Sequence, residues 1–297
     1  MPDPAGDYRP PTLSAVVVNY NGGALLSESI DRLLRAVDGA GGDQTGTRAG
    51  SIEVEVIVAD NGSTDGSLEP LKGRTRIHLL ELGENLGFGA ANNRAAAIAG
   101  GDRLLLINSD AWPTPGAIHA LLSRLDADPR LGLVAPRLIY PDGRPQFHWA
   151  PTTSVLGEAA QMVRNRLERF PITHRLRPGA GWFTAACVLL RRRAFEDVGG
   201  FDEDYFLYFE DVDLCLRLRA AGWELGEAPD AVAVHIKGGS QPEGQSELHY
   251  RRGQVRYYRT HRPRWERLVL RAKLRRAFSR RTEPARSELL ALLDELP

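Results

Sequence analysis

Residues 13–20, LSAVVVNY, are the stretch that decides the fold of this chain. A continuous apolar run rich in β-branched residues predicts a strand that is covered on both faces, as strands of a parallel sheet are. Asn21, Gly22 and Gly23 then turn the chain, and apolar residues recur at helical spacing from Leu26 to Val37. A buried strand followed by an amphipathic helix is the beginning of a βαβ unit.

The same alternation continues through the first half of the chain. Further strands are predicted at residues 54–60, 77–82 and 103–108, and further helices at 88–99 and 113–125. This order predicts a parallel, doubly wound sheet. Residues 38–51, rich in glycine, are expected to form a flexible loop.

The pattern is less regular after residue 130. Strands are predicted at 131–140, 181–191 and 231–236, with a short helix at 194–198. Residues 145–178 are aperiodic and receive no predicted structure.

Polar side chains gather where the predicted strands end. They are Asn19 and Asn21 after the first strand, Asp60 and Asn61 after the second, and Asn108 and Asp110 after the fourth. Ligands of doubly wound sheets bind beyond the carboxyl ends of the strands. The sequence therefore predicts a ligand site at this edge.

Three polar residues, Asp60, Asp110 and His235, suit a site for a nucleotide diphosphate that is held through a divalent cation. Asp110 offers a hard oxygen to Mg²⁺ or Mn²⁺, and His235, at the end of the last predicted strand, would add a nitrogen ligand that favours Mn²⁺. Asp60 could accept from a pyrimidine N–H or a ribose hydroxyl. Simpler interpretations stay open: residues 61–64 could be only a turn, His235 could be structural, and Asp110 could cap the next helix.

Residues 201–223, FDEDYFLYFEDVDLCLRLRAAGW, place the carboxylates Glu210, Asp211 and Asp213 where a helical pattern begins. Free N–H groups at a helix start favour an ionised carboxylate. Such a carboxylate either caps its helix or accepts a proton from a substrate, and spacing alone leaves both open. The helix is predicted to stop at Gly222.

Composition describes an ordinary globular protein of 297 residues, 42% hydrophobic and 26% charged. No apolar run approaches the ~20 residues that span a bilayer. Residues 1–12 are polar and proline-rich, and we expect a disordered N-terminus that is neither signal peptide nor anchor. Cys187 and Cys215 lie in apolar patterns, which indicates reduced core thiols and a cytoplasmic protein; no Cys/His spacing indicates structural zinc.

Charge is distributed unevenly along the chain. Residues 262–281 hold nine Arg or Lys against Glu266 alone, whereas residues 1–261 carry a net charge of −5. Because residues 1–261 carry a net negative charge, this part of the chain is not expected to bind nucleic acid. The basic segment predicts a helix with Leu270, Leu274, Ala277 and Phe278 on one side, which either contacts anionic lipid headgroups or packs on its own domain.

Five motifs in order carry a resemblance to a known family. They are residues 17–21 (VVNYN), 59–66 (ADNGSTDG), 83–88 (GENLGF), 108–110 (NSD), and 199–214 (GGFDEDYFLYFEDVDL) with 221–223 (AGW). In this order they resemble the family-two inverting glycosyltransferases of the GT-A fold. The last motif is similar to the acceptor-side signature of the rhamnosyltransferase branch. The likeness runs from about residue 13 to residue 240.

The resemblance implies a role for each matched position. Asp211 would be the general base, Asp110 and His235 would hold a divalent metal, and Trp182 and Glu210 would lie on the acceptor side. The donor site would be lined by Asn19, Tyr20, Asn21, Asp60, Asn61, Asn85, Gly87, Phe88, Asn92, Asn108 and Ser109. The metal motif departs from the usual Asp-X-Asp, because Asn108 removes one negative charge, which bears on the tightness of metal binding.

The resemblance implies a single GT-A domain, Rossmann-like, at residues 13–255, with a donor half (13–140) and an acceptor half (141–255), followed by a helical basic tail at 256–297. The function implied is metal-dependent, inverting transfer of a sugar, rhamnose from dTDP-rhamnose above others, to a glycan or polyprenyl-linked acceptor in polysaccharide synthesis at the inner membrane face. Asp60 would read an N–H that thymine and uracil share, so it cannot by itself separate dTDP from UDP. UDP- or GDP-sugars stay open as alternative donors. A nucleotidyltransferase would want a basic glycine loop after the first strand, which VVVNYNGG lacks, and a silent sugar-nucleotide-binding module would be expected to lack Asp110, Asp211 or His235.

Overall fold

The computed structural model describes residues 13–40, 53–150, 153–154, 157, 181–236, 245–280 and 285–296. Residues 1–12, most of the glycine-rich loop at 38–51 and most of the aperiodic segment at 145–178 lie outside the described residues.

Strands and helices alternate through the first half of the chain. The strands are β1 Leu13–Asn19, β2 Val54–Asp60, β3 Ile77–Glu81, β4 Arg103–Asn108, β5 Ala111–Pro113, β6 Leu131–Ile139, β7 Pro145–Gln146, β8 Trp149–Ala150, β9 Trp182–Phe183, β10 Cys187–Arg191 and β11 Glu224–His235. The helices are α1 Gly23–Ala40, α2 Phe88–Ile98, α3 Ala117–Asp126, α4 Arg192–Asp197, α5 Glu210–Ala220, α6 Gln245–His261, α7 Arg264–Phe278 and α8 Ala285–Ala291. Short 3₁₀ turns lie at Glu69–Leu71 and Leu292–Glu295.

Within the described part of the chain, nine strands form one sheet in the order β3-β2-β1-β4-β10-β6-β11-β5, with β7 paired to β6. The first four strands in this order are parallel, as the alternation of strands and helices predicts. β10 runs antiparallel to both of its neighbours, so the sheet is mixed where the chain enters its second half. The predicted α/β fold class is confirmed.

The segment after Asp110 differs from the prediction. Instead of a helix from Pro113, the structure has strand β5, whose residue Ala111 pairs antiparallel with His235 on β11, and helix α3 begins only at Ala117. The cause is a tertiary contact. Backbone hydrogen bonds to the open edge of β11 stabilise a strand here by more than the local helical preference would stabilise a helix. β11 is also longer than predicted and carries a register shift between Ala228 and Val232.

Alternating side chains of the buried strands fill two cores, one on each face of the sheet. Val17 and Leu105 pack beneath α1 and α3, whereas Val16 and Leu104 pack beneath α2 and α5. Period-two alternation explains this division, since neighbouring residues of a strand point to opposite faces.

The C-terminal helices enclose a third core. Leu270, Leu274 and Phe278 of α7 are each 1% exposed and share this cluster with Tyr205 and Phe209, which precede α5. Of the two predictions for this apolar side of the basic segment, packing on its own domain is therefore correct for these three residues. Ala277, predicted to join them, is exposed.

Helix α6 runs through residue 255, the predicted boundary between body and tail. None of the helices in the described part of the chain combines the length and apolar character that a bilayer crossing requires.

Candidate active site

Asp110 and His235 meet because β5 and β11 pair. The Ala111–His235 register places the two side chains at the same sheet edge, and the Ile236 N–H donates to the Asp110 carbonyl at 3.0 Å. His235 Nε2 lies 3.4 Å from Asp110 Oδ1, and both residues are buried. Helix α3 has Gly116 at its N-cap, so Asp110 does not cap it.

Gln146 fixes the orientation of the His235 ring. Its Nε2 donates to the His235 carbonyl at 3.3 Å, which leaves Oε1 facing His235 Nδ1 at 2.7 Å. Because an amide oxygen only accepts, Nδ1 carries a proton, and in the neutral imidazole the lone pair is on Nε2, on the side of Asp110. Sequence reasoning missed Gln146, which lies in the segment that had no periodic signal.

The pair formed by Asp110 Oδ1 and His235 Nε2 suits a divalent cation. One carboxylate oxygen and one neutral imidazole nitrogen are both metal donors, and the hydrogen bond at the far ring nitrogen is the usual support for a histidine ligand. The described residues contain no cluster of three or more His, Cys, Asp or Glu suited to a metal. Asp110 and His235 could therefore hold a divalent cation only together with further ligands from outside this pair.

Asp60 is the centre of a buried hydrogen-bond network at the ends of β1 and β2. Its Oδ1 accepts from Asn19 Nδ2 at 2.8 Å and from Ser63 Oγ at 2.6 Å, and its Oδ2 accepts from the Ser63 N–H at 2.9 Å. Asn19 Nδ2 also contacts the Ser67 hydroxyl at 3.0 Å. The network holds Asp60 rigid, and a carboxylate keeps some acceptor capacity beyond three hydrogen bonds.

The segment after β2 is tied to the turn after β1. Asn21 Oδ1 accepts the Thr64 N–H at 2.9 Å, and the Asn21 N–H donates to Ser63 Oγ at 2.9 Å. Residues 61–64 form neither a hydrogen-bonded turn nor a helix start, and their contacts with Asn21 make them part of the wall around Asp60. Tyr20, between Asn19 and Asn21, is 38% exposed.

The loop before α2 joins this wall to residues 201–209. Asn61 Nδ2 donates to the Gly87 carbonyl at 3.1 Å, and Asn85 Oδ1 accepts the Gly87 N–H at 3.1 Å. The Phe88 N–H then donates to the Phe206 carbonyl at 3.0 Å. Gly87 has φ +89°, and a Cβ there would lie 2.3 Å from the Phe206 oxygen, so the close approach requires glycine.

The other residues of the predicted donor site lie in two settings. Asn92 is fully buried inside α2 and donates to the Phe88 carbonyl at 2.9 Å, a bond within its own helix. Asn108 is partly buried and Ser109 is buried, directly before Asp110.

Asp211 lies at the start of α5 against the segment between β9 and β10. Its Oδ1 accepts the Val212 N–H at 2.8 Å and its Oδ2 accepts the Ala185 N–H at 3.4 Å. The N-cap position is Phe209, whose side chain makes no capping bond, whereas the Asp211 carboxylate accepts the Val212 N–H within the first turn of the helix. The capping and the proton-accepting interpretations are thus compatible.

The sequence analysis expected the helix start to keep Asp211 ionised, and the pKa shift is in the opposite direction. Burial raises the pKa of Asp211 above its ordinary value, and this outweighs the hydrogen bonds from Val212, Ala185 and the Thr184 side chain, which lower it. The physical reason is desolvation, which disfavours the charged carboxylate. Asp211 is therefore a stronger base than an exposed aspartate.

Glu210 differs from Asp211 in its surroundings. It is 5% exposed, and its buried Oε2 has no hydrogen-bond partner among the described residues. Burial, and then the neighbouring Asp211 charge, raise the pKa of Glu210 well above its ordinary value. Of the two carboxyl groups, Glu210 holds its proton more firmly.

Asp213 belongs to the framework of the molecule. Its Oδ2 accepts from Arg217 Nε at 2.6 Å, and its Oδ1 lies 2.6 Å from His261 Nε2 on α6. Burial raises the pKa of Asp213, but the contacts with His261 and Arg217 outweigh burial and leave the pKa below its ordinary value. Asp213 thus joins α5 to the C-terminal helices.

Residues 184–186 lie between the two candidate centres. The Ala185 N–H reaches Asp211, and the Ala186 carbonyl accepts the Asn108 N–H at 3.0 Å. Trp182, on β9, is partly buried between the second and third cores. Sequence reasoning missed this role of 184–186, because small residues that act through their backbone leave no side-chain signal.

The chain is similar to known glycosyltransferases in sequence and in fold. The sequence model of the family described as glycosyl transferase family 2 matches residues 14–199. An N-acetylglucosaminyl-diphospho-decaprenol L-rhamnosyltransferase of Mycobacterium tuberculosis is 37% identical over 223 residues, which is 67% of this chain and 72% of that protein.

Two solved structures share the fold. A mannosyltransferase from Pyrobaculum calidifontis, in complex with GDP-Man and Mn²⁺, has a TM-score of 0.55 and 21% identity, covering 97% of this chain and 70% of that one. GalNAc-T7 with UDP, GalNAc and Mn²⁺ has a TM-score of 0.59 and 16% identity, covering 97% of this chain and 55% of that one.

Proposed function

The chain belongs to glycosyl transferase family 2 and is a glycosyltransferase, and from this premise we propose that it is a metal-dependent, inverting rhamnosyltransferase. The donor would be dTDP-rhamnose, and the acceptor a hydroxyl of a polyprenyl-linked glycan. The observation that carries the metal-dependent reaction is the Asp110–His235 pair, with Nε2 aimed at the carboxylate. The similarity to the mycobacterial L-rhamnosyltransferase, which acts on a decaprenol-linked sugar, supports the rhamnosyl group and the lipid-linked acceptor.

The proposed donor half comprises residues 13–140. The walls of the donor site would be the segments after β1 and β2 and the loop before α2, with Asp60 reading the base and Asn108 the ribose. Asp110 and His235 would hold Mg²⁺ or Mn²⁺, which neutralises charge on the departing diphosphate. Solved structures of the same fold contain Mn²⁺ beside nucleotide sugars or nucleotides.

The acceptor half comprises residues 141–255, with Trp182 and Glu210 on its side of the site. Asp211 would take the proton of the acceptor hydroxyl as that oxygen attacks C1 of the sugar in line. The C1–oxygen bond to the diphosphate breaks as the new bond forms, so the configuration at C1 inverts. The raised pKa of Asp211 makes it the better base, and its backbone hydrogen bonds hold the carboxylate in place.

A lipid-linked acceptor would place the enzyme at the inner face of the membrane. We propose that residues 256–297 form the part of the chain that contacts this surface, since residues 262–281 hold nine Arg or Lys against one Glu.

The test is transfer from dTDP-rhamnose to an N-acetylglucosaminyl-diphospho-polyprenol, with product anomer determined by NMR. We expect turnover that needs Mn²⁺ or Mg²⁺ and stops with a chelator. Competition binding identifies the donor, and tighter binding of UDP or GDP than of dTDP would contradict the rhamnosyl assignment while leaving the family intact. Retention of configuration, or transfer without a cation, would contradict the mechanism.

A further inference from the structure

Helix α7 has two apolar faces, and only one of them is buried. The buried face consists of Leu270, Leu274 and Phe278. The opposite side presents Trp265, Leu268, Val269 and Ala272, four residues at spacings of three and four that we name the exposed stripe.

The exposed stripe is unusual for its size. Trp265 is 56% exposed, Leu268 49% and Val269 44%. Single exposed apolar residues need no explanation, but three large ones on adjacent turns of one helix mark an interaction surface.

Basic side chains surround the exposed stripe. Arg264 precedes it, Lys273, Arg275 and Arg276 lie on its flanks and at its C-terminal end, and Arg280 follows the helix; all are exposed. The one acidic residue of α7, Glu266, is buried and paired with Arg262. The face that carries the exposed stripe is therefore apolar at its centre, cationic around it and free of carboxylates within α7.

From this arrangement we infer that the exposed stripe is a membrane-docking surface, and that its partner is the headgroup region of an anionic bilayer. A tryptophan and two aliphatic side chains can enter the boundary between headgroups and acyl chains, while arginine and lysine side chains contact lipid phosphates. Charge complementarity selects this occupant, because an apolar protein partner would offer no negative charge to the exposed Arg264, Arg275, Arg276 and Arg280, whereas lipid phosphates would. The inserting residues are Trp265, Leu268 and Val269; the side predicted from sequence, Leu270, Leu274 and Phe278, is inside the protein.

Docking through α7 would fix the catalytic centre relative to the membrane. The buried face of α7 shares its cluster with Tyr205 and Phe209, which lead directly into Glu210 and Asp211. Arg256 on α6 adds ion pairs to Asp202 at 2.7 Å and Asp204 at 2.6 Å. Membrane docking by the exposed stripe does not depend on the proposed function. Only the purpose of docking, which is access to a lipid-linked acceptor, rests on that function.

The experiment measures vesicle binding of the full chain without donor or acceptor. Flotation uses vesicles of phosphatidylcholine alone and of phosphatidylcholine mixed with phosphatidylglycerol. We expect binding to the anionic vesicles only, a fall of at least about tenfold in partitioning for the W265S/L268S/V269S variant, and a similar fall for R264Q/R275Q/R276Q/R280Q. Ile98→Ser is the matched control, since Ile98 is also 56% exposed but lies on α2.

Substitutions are preferable to deletion of α7, because deletion would open the third core. Equal thermal unfolding of each variant and wild type shows that the fold is intact. The inference is overturned if the wild-type protein does not bind anionic vesicles, or if the W265S/L268S/V269S variant binds them as strongly as wild type does. It is also overturned if that variant changes only the oligomeric state, which would make the exposed stripe a contact between copies. Because no substrate is present, these outcomes are independent of the transferase assay.

Discussion

At the scale of single residues, Glu210 and Asp211 differ in what surrounds their carboxyl groups. Asp211 accepts two backbone N–H groups, whereas Oε2 of Glu210 is buried without a hydrogen-bond partner in the described residues. Adjacent carboxyl groups in different environments are divided between a charged and a protonated form, because two buried like charges repel. The charged form falls to Asp211, which has the N–H donors.

We expect Asp211→Asn to lower kcat by about 10²–10⁴-fold, the usual contribution of a general base, while nucleotide binding stays unchanged. The amide keeps the shape of the side chain but cannot take a proton. Steady-state kinetics and calorimetry with dTDP measure the two effects. Turnover near that of wild type would leave Asp211 as a helix-start residue only.

Glu210→Gln is the control for this variant. Because a protonated glutamic acid and a glutamine have the same shape and no charge, we expect a much smaller change in kcat. The native state holds this proton at a raised pKa, so wild-type stability should fall as pH rises from the ordinary glutamate pKa to the raised one. In the Gln variant, this part of the loss of stability with rising pH should be absent. Urea unfolding at several pH values would measure the difference.

Gln146 acts on the proposed metal site through His235. We expect Gln146→Leu to weaken Mn²⁺-dependent dTDP binding by about 10–100-fold, because the Nδ1 donor loses its acceptor and the ring its orientation. Gln146→Glu keeps an acceptor and should retain more affinity than Leu. Calorimetry with and without a chelator measures both, and Asp110→Ala and His235→Ala should abolish the metal dependence. If none of the four substitutions changes the affinity for dTDP, the metal assignment is wrong.

At the scale of elements, α6 supports the loop that leads into α5. Tyr208 and Phe209 have φ values of 68° and 71°, a left-handed conformation that aromatic residues rarely adopt. The Tyr208 carbonyl faces Gly253 of α6, where a Cβ would lie 2.4 Å from that oxygen. Packing of α6 against this loop keeps the strained backbone in place and so positions Glu210 and Asp211.

We expect Gly253→Ala to destabilise the fold by about 1–3 kcal/mol, the usual range for overpacking, and to lower kcat more than it lowers dTDP affinity. The added methyl group meets the Tyr208 carbonyl, directly before Phe209 and the helix start, whereas the wall around Asp60 contacts this loop two residues earlier, at Phe206. Thr260→Ala, at an exposed position of the same helix, should change neither quantity. Equal losses in kcat and in dTDP binding would contradict a local effect on Asp211.

At the scale of the whole molecule, the C-terminal helices are part of the fold. α6, α7 and the last 3₁₀ turn enclose the third core, and α6 reaches α5 through the contact between His261 and Asp213. The family match ends at residue 199, so this core is built from the part of the chain beyond that match. The basic segment therefore stabilises the loop that leads into α5, through the buried face of α7.

We expect Phe278→Ala to lower the free energy of unfolding by about 3–5 kcal/mol, because it empties a buried aromatic site. Trp265→Ala, on the opposite face of the same helix, should change it by no more than about 0.5 kcal/mol. Urea unfolding followed by circular dichroism measures both. A negligible effect of Phe278→Ala would show that α7 is a separable tail.

The sequence by itself determined the α/β architecture and the identity of the ends of the first strands. Local signals were sufficient there, because a continuous apolar run such as that in LSAVVVN or RLLLIN has no polar face and so favours a strand that is covered on both sides of the sheet. The polar residues that follow parallel strands share one edge of the sheet, so the sequence alone predicts that Asn19, Asp60 and Asp110 lie at that edge.

The tertiary structure alone decided the features that depend on contacts distant in sequence. Ala111–Pro113 became a strand because β11 was there to pair with it, and Gln146 became the partner of His235 across 89 residues. The pKa of Asp211 followed burial instead of its helix start, and the apolar side of α7 was buried by neighbours that a helical period cannot identify. Periodicity reports which residues share a face, but which face is covered, and by what, is set by the free energy of packing in the folded molecule.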